Sequence, residues 1–158
     1  MPLIYLKYEI KAPITRVFDL SRSIDLHIAS AGFTGEKAVA GRTSGLIEPG
    51  EEVTWRAKHF GVWQHLTSKI DVFDYPNRFR DNMVTGAFKS FQHDHLFQEK
   101  NGITVVEDHF AFEAPLGVLG KMANHLFLTA YMKKFLLERN QVIKRVAESD
   151  EWKRYLNK

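Results

Sequence analysis

The 158-residue sequence contains no cysteine. That absence removes disulfides, thiolate metal ligands and a cysteine nucleophile together, and it suits a reducing compartment, so the expected location is cytoplasmic. A long apolar run is also missing. The block from Leu126 to Leu137 is short and broken by Lys133 and Lys134, so no stable membrane insertion is expected. The opening residues Met1-Pro2-Leu3-Ile4-Tyr5 have no basic stretch leading into an apolar one, and no signal peptide is expected. Neither sign of charge dominates: the net charge is +3 and the basic residues are dispersed, which gives no footprint for nucleic acid. Gly41 and Gly45 are not followed by the Gly-Lys-Ser/Thr of a phosphate loop, and Ser44 and Ser90 lack a nucleophile-elbow pattern. The Gly41–Gly45 segment reads instead as a flexible entrance loop next to a cavity. No repeat, low-complexity tract or linker divides residues 1–158, which read as one domain.

Aromatic residues are plentiful at 13%, Phe contributing 12 of them. Residues 3–10 alternate as a strand. Two short helices are expected at 13–20, opened by Pro13, and at 23–30. A strand at 35–40 precedes a meander at about 51–60, 62–73, 78–85, 88–99 and 103–113. Asn101-Gly102 is a strong two-residue hairpin signal, because a type I′ turn needs positive φ at both central residues. Gly86-Ala87 is read as another short connection. A long helix is then expected from Leu116 to Glu148, with 150–158 extending or fraying from it. Leu119, Met122, Ala123, Leu126, Ala130 and Leu137 form the stripe expected to cover the sheet. Leu128, Met132, Phe135, Leu136 and Ile143 spill onto a second face that could meet the short helices, a ligand portal or, as a homodimer, a second subunit. Lys133, Lys134, Arg139, Lys144 and Arg145 read as a solvated face.

Within the meander, side chains two apart share a face. The apolar parity then repeatedly carries a polar group: Val53-Trp55-Ala57-His59, Phe79-Asp81-Met83, Phe91-His93-His95-Phe97 and Val106-Asp108-Phe110-Phe112. Buried without partners such groups would cost several kcal/mol, so they must meet each other, water or a ligand. Gln64 shares an inward parity, and Trp63 lies on the opposite one. His125 and Tyr131 flank the helical stripe.

This order of elements resembles the START-like, helix-grip superfamily, the polyketide cyclase/dehydratase and lipid-transport group also called SRPBCC, and most closely its small bacterial ligand-binding members. The residues carrying the likeness are Gly50–Ala57, His59-Phe60-Gly61, Phe79–Asp81, His93-x-His95-x-Phe97 and Ala114-Pro115-Leu116-Gly117. The resemblance implies an α+β fold with a curved antiparallel sheet wrapped around a long C-terminal helix. It also implies a cavity between them that accepts a small hydrophobic or amphipathic molecule.

The expected function is therefore binding, and transport, of such a molecule. Its walls would be Trp55, Gln64, Phe79, Met83, Phe91, Phe97, Phe110, Phe112, Met122 and Leu126, with polar selection by His59, Asp81, His93, His95 and Asp108. The alternative is a cyclase/dehydratase-type enzyme working on a polarised carbonyl, with His59–Asp81 or His95–Asp108 as its acid–base pair. His93 and His95 also have a spacing that, with Asp81, His59 or Asp108, suits metal ligation. A hydrogen-bonded network is the preferred reading, and no metal or cofactor is expected.

Overall fold

The computed structural model describes residues 2–114 and 127–157. Strand β1 (Leu3–Ile10) leads into helices α1 (Ile14–Ser21) and α2 (Ile24–Ser30) and a 3-10 turn at Gly32–Thr34. Strands β2 (Lys37–Gly41), β3 (Glu52–His59), β4 (Val62–Asp74), β5 (Arg78–Gly86), β6 (Ser90–Lys100) and β7 (Ile103–Glu113) follow, then α3 (Thr129–Glu148) and α4 (Trp152–Leu156). The strands form one antiparallel sheet in the order β1-β7-β6-β5-β4-β3-β2. No helix among the described residues is long and apolar enough to cross a membrane.

Local chemistry accounts for the element ends. Pro13 caps α1, its carbonyl accepting from Val17 N at 3.1 Å. The Ser23 hydroxyl accepts from Leu26 N at 3.2 Å to cap α2. Asn101 and Gly102 both take positive φ in the β6–β7 turn, as their identity predicts. The β3–β4 turn uses the same conformation at Phe60 and Gly61 (φ 53° and 76°), although Phe60 is a bulky residue.

The parity pattern sorts the sheet into two faces. Outward, Arg80 pairs with Asp71 at 2.9 Å and Arg78 with Asp94 at 2.7 Å, contacts worth little individually. Inward, one apolar cluster centres on Phe18, whose ring meets Phe73, Phe79 and Phe97. A second gathers Ile4, Leu6, Phe91, Phe110, Phe112 and Leu136.

Several expectations need correction. Of the stripe assigned to the sheet-facing side of the long helix, Ala130 and Leu137 are exposed, while Leu128, Met132, Phe135 and Leu136 turn inward. Leu137 lies about 100° around the helix from Leu136, so one residue separates the covered face from the open one. Leu119, Met122, Ala123, His125 and Leu126, expected in the first part of the long helix, lie outside the described residues. The tail neither extends α3 nor frays: Ser149 leaves the helical conformation and α4 forms separately. The β5–β6 connection is longer than Gly86-Ala87, since β6 begins at Ser90. The Gly41–Gly45 loop is tied to α2, with Ile24 N donating to Gly45 O at 2.9 Å and Gly45 N to Asp25 Oδ2 at 3.0 Å.

Candidate functional site

Strand register brings four polar groups from three strands together. Asp81 of β5 is paired with His93 of β6, and His95 with Asp108 of β7. Their side chains also reach diagonally, as neighbours on one sheet face can. His95 Nε2 lies 3.2 Å from Asp81 Oδ2 and its Nδ1 lies 3.0 Å from Asp108 Oδ1. His93 Nε2 donates to the same Asp108 oxygen at 3.1 Å, and Asn140 Nδ2 of α3 donates to Asp108 Oδ2 at 2.6 Å. The two imidazole centroids are 3.8 Å apart. Asp108 is therefore a buried hub, whereas the Asp81 side chain keeps 25% of its surface open.

The electrostatics divide the two histidines. Burial pushes the His93 pKa down, the neighbouring His95 charge pushes the same way, and together they outweigh Asp108 and bring it to about 4. His93 is thus a neutral donor. Burial also opposes charge on His95, but contacts with Asp108 and Asp81 prevail and raise its pKa. Both ring nitrogens of His95 face carboxylates, which favours the doubly protonated ring. Burial would raise both carboxyls; the imidazoles reverse this, lowering Asp81 and holding Asp108 well below its ordinary value. Asp81, His93 and His95 each offer a ligating atom, all within 4.8 Å of one another. With a carboxylate at each of its nitrogens, the His95 ring sits in a network arranged to hold and share protons.

This network forms one wall of a cavity of about 280 Å³ between the sheet and α3. Its lining is chiefly apolar, including Trp55, Phe79, Phe88, Phe91 and Phe110 from the sheet side and Met132, Phe135 and Leu136 from α3. A second polar pair enters it: His27 Nε2 lies 2.6 Å from Glu36 Oε1, and the His27 ring stacks on Trp55 with centroids 4.1 Å apart. At the β3–β4 turn, His59 Nδ1 and the Tyr131 hydroxyl are 2.6 Å apart. Burial lowers the pKa of His59. Phe60 beside it packs on Tyr131 and Phe127.

The cavity brings together Trp55, His59, Gln64, Phe79, Asp81, Phe91, His93, His95 and Phe110. Four other expected lining residues lie elsewhere. Asp108 sits behind the histidines; Phe97 and Phe112 are packed in the two core clusters, and partly buried Met83 packs against the second. The expected His59–Asp81 pair does not form, because β4 separates their strands and His59 turns to Tyr131. The expected His95–Asp108 contact is present. Met122 and Leu126 lie outside the described residues.

Sequence reasoning missed Glu36, His27 and Arg139. Arg139, assigned to a solvated face, is buried and lines the cavity. Helical spacing carried a usable signal, since Leu136, Arg139, Asn140, Ile143, Val146 and Ala147 form one buried face of α3.

No family model matches the sequence, and no curated protein matches it. Solved structures do. The protein TTHA0849 from Thermus thermophilus aligns with TM-score 0.73 and 16% identity over 91% of this chain and 95% of that one. Ginseng major latex-like protein 151 from Panax ginseng aligns with TM-score 0.68 and 17% identity over 94% and 98%. A START superfamily protein from Mycobacterium smegmatis aligns with TM-score 0.68 and 10% identity over 90% and 97%. With the order of elements described above, these likenesses establish that the chain has the START-like helix-grip fold, a curved antiparallel sheet wrapped around a long C-terminal helix.

Proposed function

We propose that this chain is an acid–base enzyme of the cyclase/dehydratase kind, acting on a small, mostly apolar carbonyl compound held between sheet and helix. The observation that carries this reading is the Asp81–His95–Asp108 relay, whose outer carboxylate opens onto an apolar cavity while its inner one is buried. Asp81 is the base and His95 the acid. Asp108 holds the imidazole in place and stabilises its charge. After turnover, a proton taken up by Asp81 passes to His95 across their 3.2 Å contact, which restores the starting state. His93 keeps the hub oriented without itself carrying charge.

The test uses 2-tetralone, an apolar ketone with acidic α-protons, as a probe in deuterated buffer, with exchange followed by proton NMR. The wild-type protein is expected to accelerate exchange over buffer, and Asp81→Asn to remove the acceleration. A wild-type protein that binds the ketone saturably without accelerating exchange would overturn the enzyme reading. It would leave the second reading, a carrier of apolar molecules, which the largely aromatic and aliphatic lining favours.

A further inference from the structure

Of the charged groups in the cavity wall outside the relay, Arg22 is paired with Asp19 and Glu48 and Glu36 meets His27, whereas Arg139 has no such partner among the described residues. It is 6% exposed, yet only part of its guanidinium is engaged: Nη2 donates to Ser21 O at 3.0 Å, at the C-terminal end of α1, while Nε is buried without an acceptor. No carboxylate forms an ion pair with it among the described residues. A buried guanidinium with an idle donor is costly, and an apolar side chain such as that of Leu136 would fill the position without that cost. The residue lines the same cavity as Asp81, His93 and His95, near enough for its charge to act on all three.

Charge balance then distinguishes between ligand classes. Ionised Asp81 and Asp108 are matched by protonated His95 and Arg139, so the cluster is neutral as it stands. A bound carboxylate would add an uncompensated negative charge to a buried site, whereas a neutral carbonyl oxygen drawn to the guanidinium would add none.

We propose that Arg139 grips the carbonyl oxygen of the substrate, and that the substrate class is a neutral, apolar ketone or aldehyde with an enolisable α-carbon rather than a carboxylic acid. This inference rests on the acid–base reading of the same cavity. The α C–H bond breaks, its proton goes to Asp81, and its electron pair forms the enolate double bond, placing negative charge on the oxygen beside Arg139. In a β-hydroxy ketone the enolate oxygen re-forms the carbonyl, the former enolate carbon–carbon pair forms the α,β double bond, and the β C–O bond breaks with its electron pair leaving on the hydroxyl. The departing hydroxyl takes the His95 proton and leaves as water. Asp81 then returns its proton to His95, so no oxidant, reductant or further reactant is needed.

The test measures binding of three probes of one shape, 2-acetonaphthone, 2-ethylnaphthalene and 2-naphthoate, by titration of tryptophan fluorescence. The wild-type protein is expected to bind the ketone about tenfold or more tighter than the hydrocarbon, as a hydrogen bond from a charged donor predicts, and to show no preference for the carboxylate over the ketone. Arg139→Met should erase the ketone preference and keep hydrocarbon affinity, which also reports that the variant is folded. An unchanged preference in the variant, or tightest binding of the carboxylate by the wild type, overturns the assignment of Arg139. Failure of all three probes to bind overturns the cavity reading itself, and the inference with it. The carbonyl stretch of carbon-13-labelled ketone on the wild-type protein gives a second readout that does not depend on the variant. A shift to lower frequency than in hydrocarbon solvent is expected, and an unshifted band overturns the proposal.

Discussion

His95 Nδ1 lies 3.0 Å from Asp108 Oδ1, directly across the β6–β7 ladder and almost entirely out of solvent. The same oxygen accepts from His93, and the other Asp108 oxygen from Asn140. One carboxylate thereby anchors two strands and the helix. Asp108→Asn should cost about 3 kcal/mol or more of unfolding free energy, because the His95 charge loses its buried counterion. Asp81→Asn should cost clearly less, since Asp81 is partly open. Urea denaturation of the two variants checks the ordering, and equal losses would contradict the hub role of Asp108.

The two histidines should give stability a pH profile with separable limbs. His93 titrates near 4 in the folded protein, below its unfolded value of about 6.5. The unfolded chain therefore takes its proton first, and stability falls as pH drops from about 6.5 towards 4, by about 3 kcal/mol at most. The contribution of His95, whose folded pKa is raised, is complete below about 6.5 and is lost as pH rises through that folded value. Asp81 and Asp108, both lowered, contribute above about 3.9 and lose their contribution as pH falls through their folded values. Facing His93 are Asp81 of β5, Asp108 of β7 and Arg139 of α3, with His95 on its own strand. His93→Gln keeps a donor for Asp108 but cannot titrate. It should flatten the limb between 6.5 and 4 while leaving the other two, as read from urea midpoints across pH. A limb that persists in this variant would assign the acid loss to other groups.

Turnover and binding should separate at Asp81. Replacing this carboxylate by Asn keeps the volume and removes the base of the proposed reaction, so under that proposal proton exchange on a bound ketone should fall by roughly 10²–10⁴-fold. Affinity for an apolar probe should change little. Parallel calorimetry and NMR exchange measurements check this, and a matched loss of both would make Asp81 a binding group instead.

Phe60 holds a left-handed backbone at the tip of the β3–β4 turn, a conformation that costs a non-glycine residue about 1–2 kcal/mol. The residue is 54% exposed, and its ring packs on Tyr131 and Phe127 at the cavity margin. Phe60→Gly should therefore not destabilise the protein appreciably, and a gain of about 1 kcal/mol is expected in thermal unfolding. A bound apolar probe should dissociate several-fold faster, as stopped-flow dilution would record. An unchanged dissociation rate would mean that the ring does not obstruct the margin.

The sheet was legible because period-two alternation does not depend on distant partners: Phe79 through Met83 and Phe91 through Phe97 sort by face from their neighbours alone. Asn101-Gly102 announced its turn through backbone conformation. What alternation cannot supply is distance across strands. The His59–Asp81 pairing failed because shared parity says nothing about the strand lying between them, whereas His95–Asp108 belongs to adjacent strands. Phe97, Phe112 and Asp108 point to the correct face but sit beneath the cavity floor, a difference of depth that a one-dimensional pattern does not encode. Arg139 has the residue type of a solvated face but the position of a buried one, since its spacing from Leu136 and Ile143 marks the buried side of α3.

The two outermost strands, β1 and β2, are neighbours in the chain but stand at opposite margins of the sheet. Residues 11–36, with α1 and α2, therefore form a girdle running from one margin to the other, and its length sets how tightly the sheet can be cinched. Adding or removing a residue in this girdle should change the bore of the chamber while leaving the Asp81–His95–Asp108 triad, borne on the central strands, in register. Room in the chamber and the chemistry of its polar wall thus reside in different parts of the fold, one in the girth of the belt and the other in the strands it encircles.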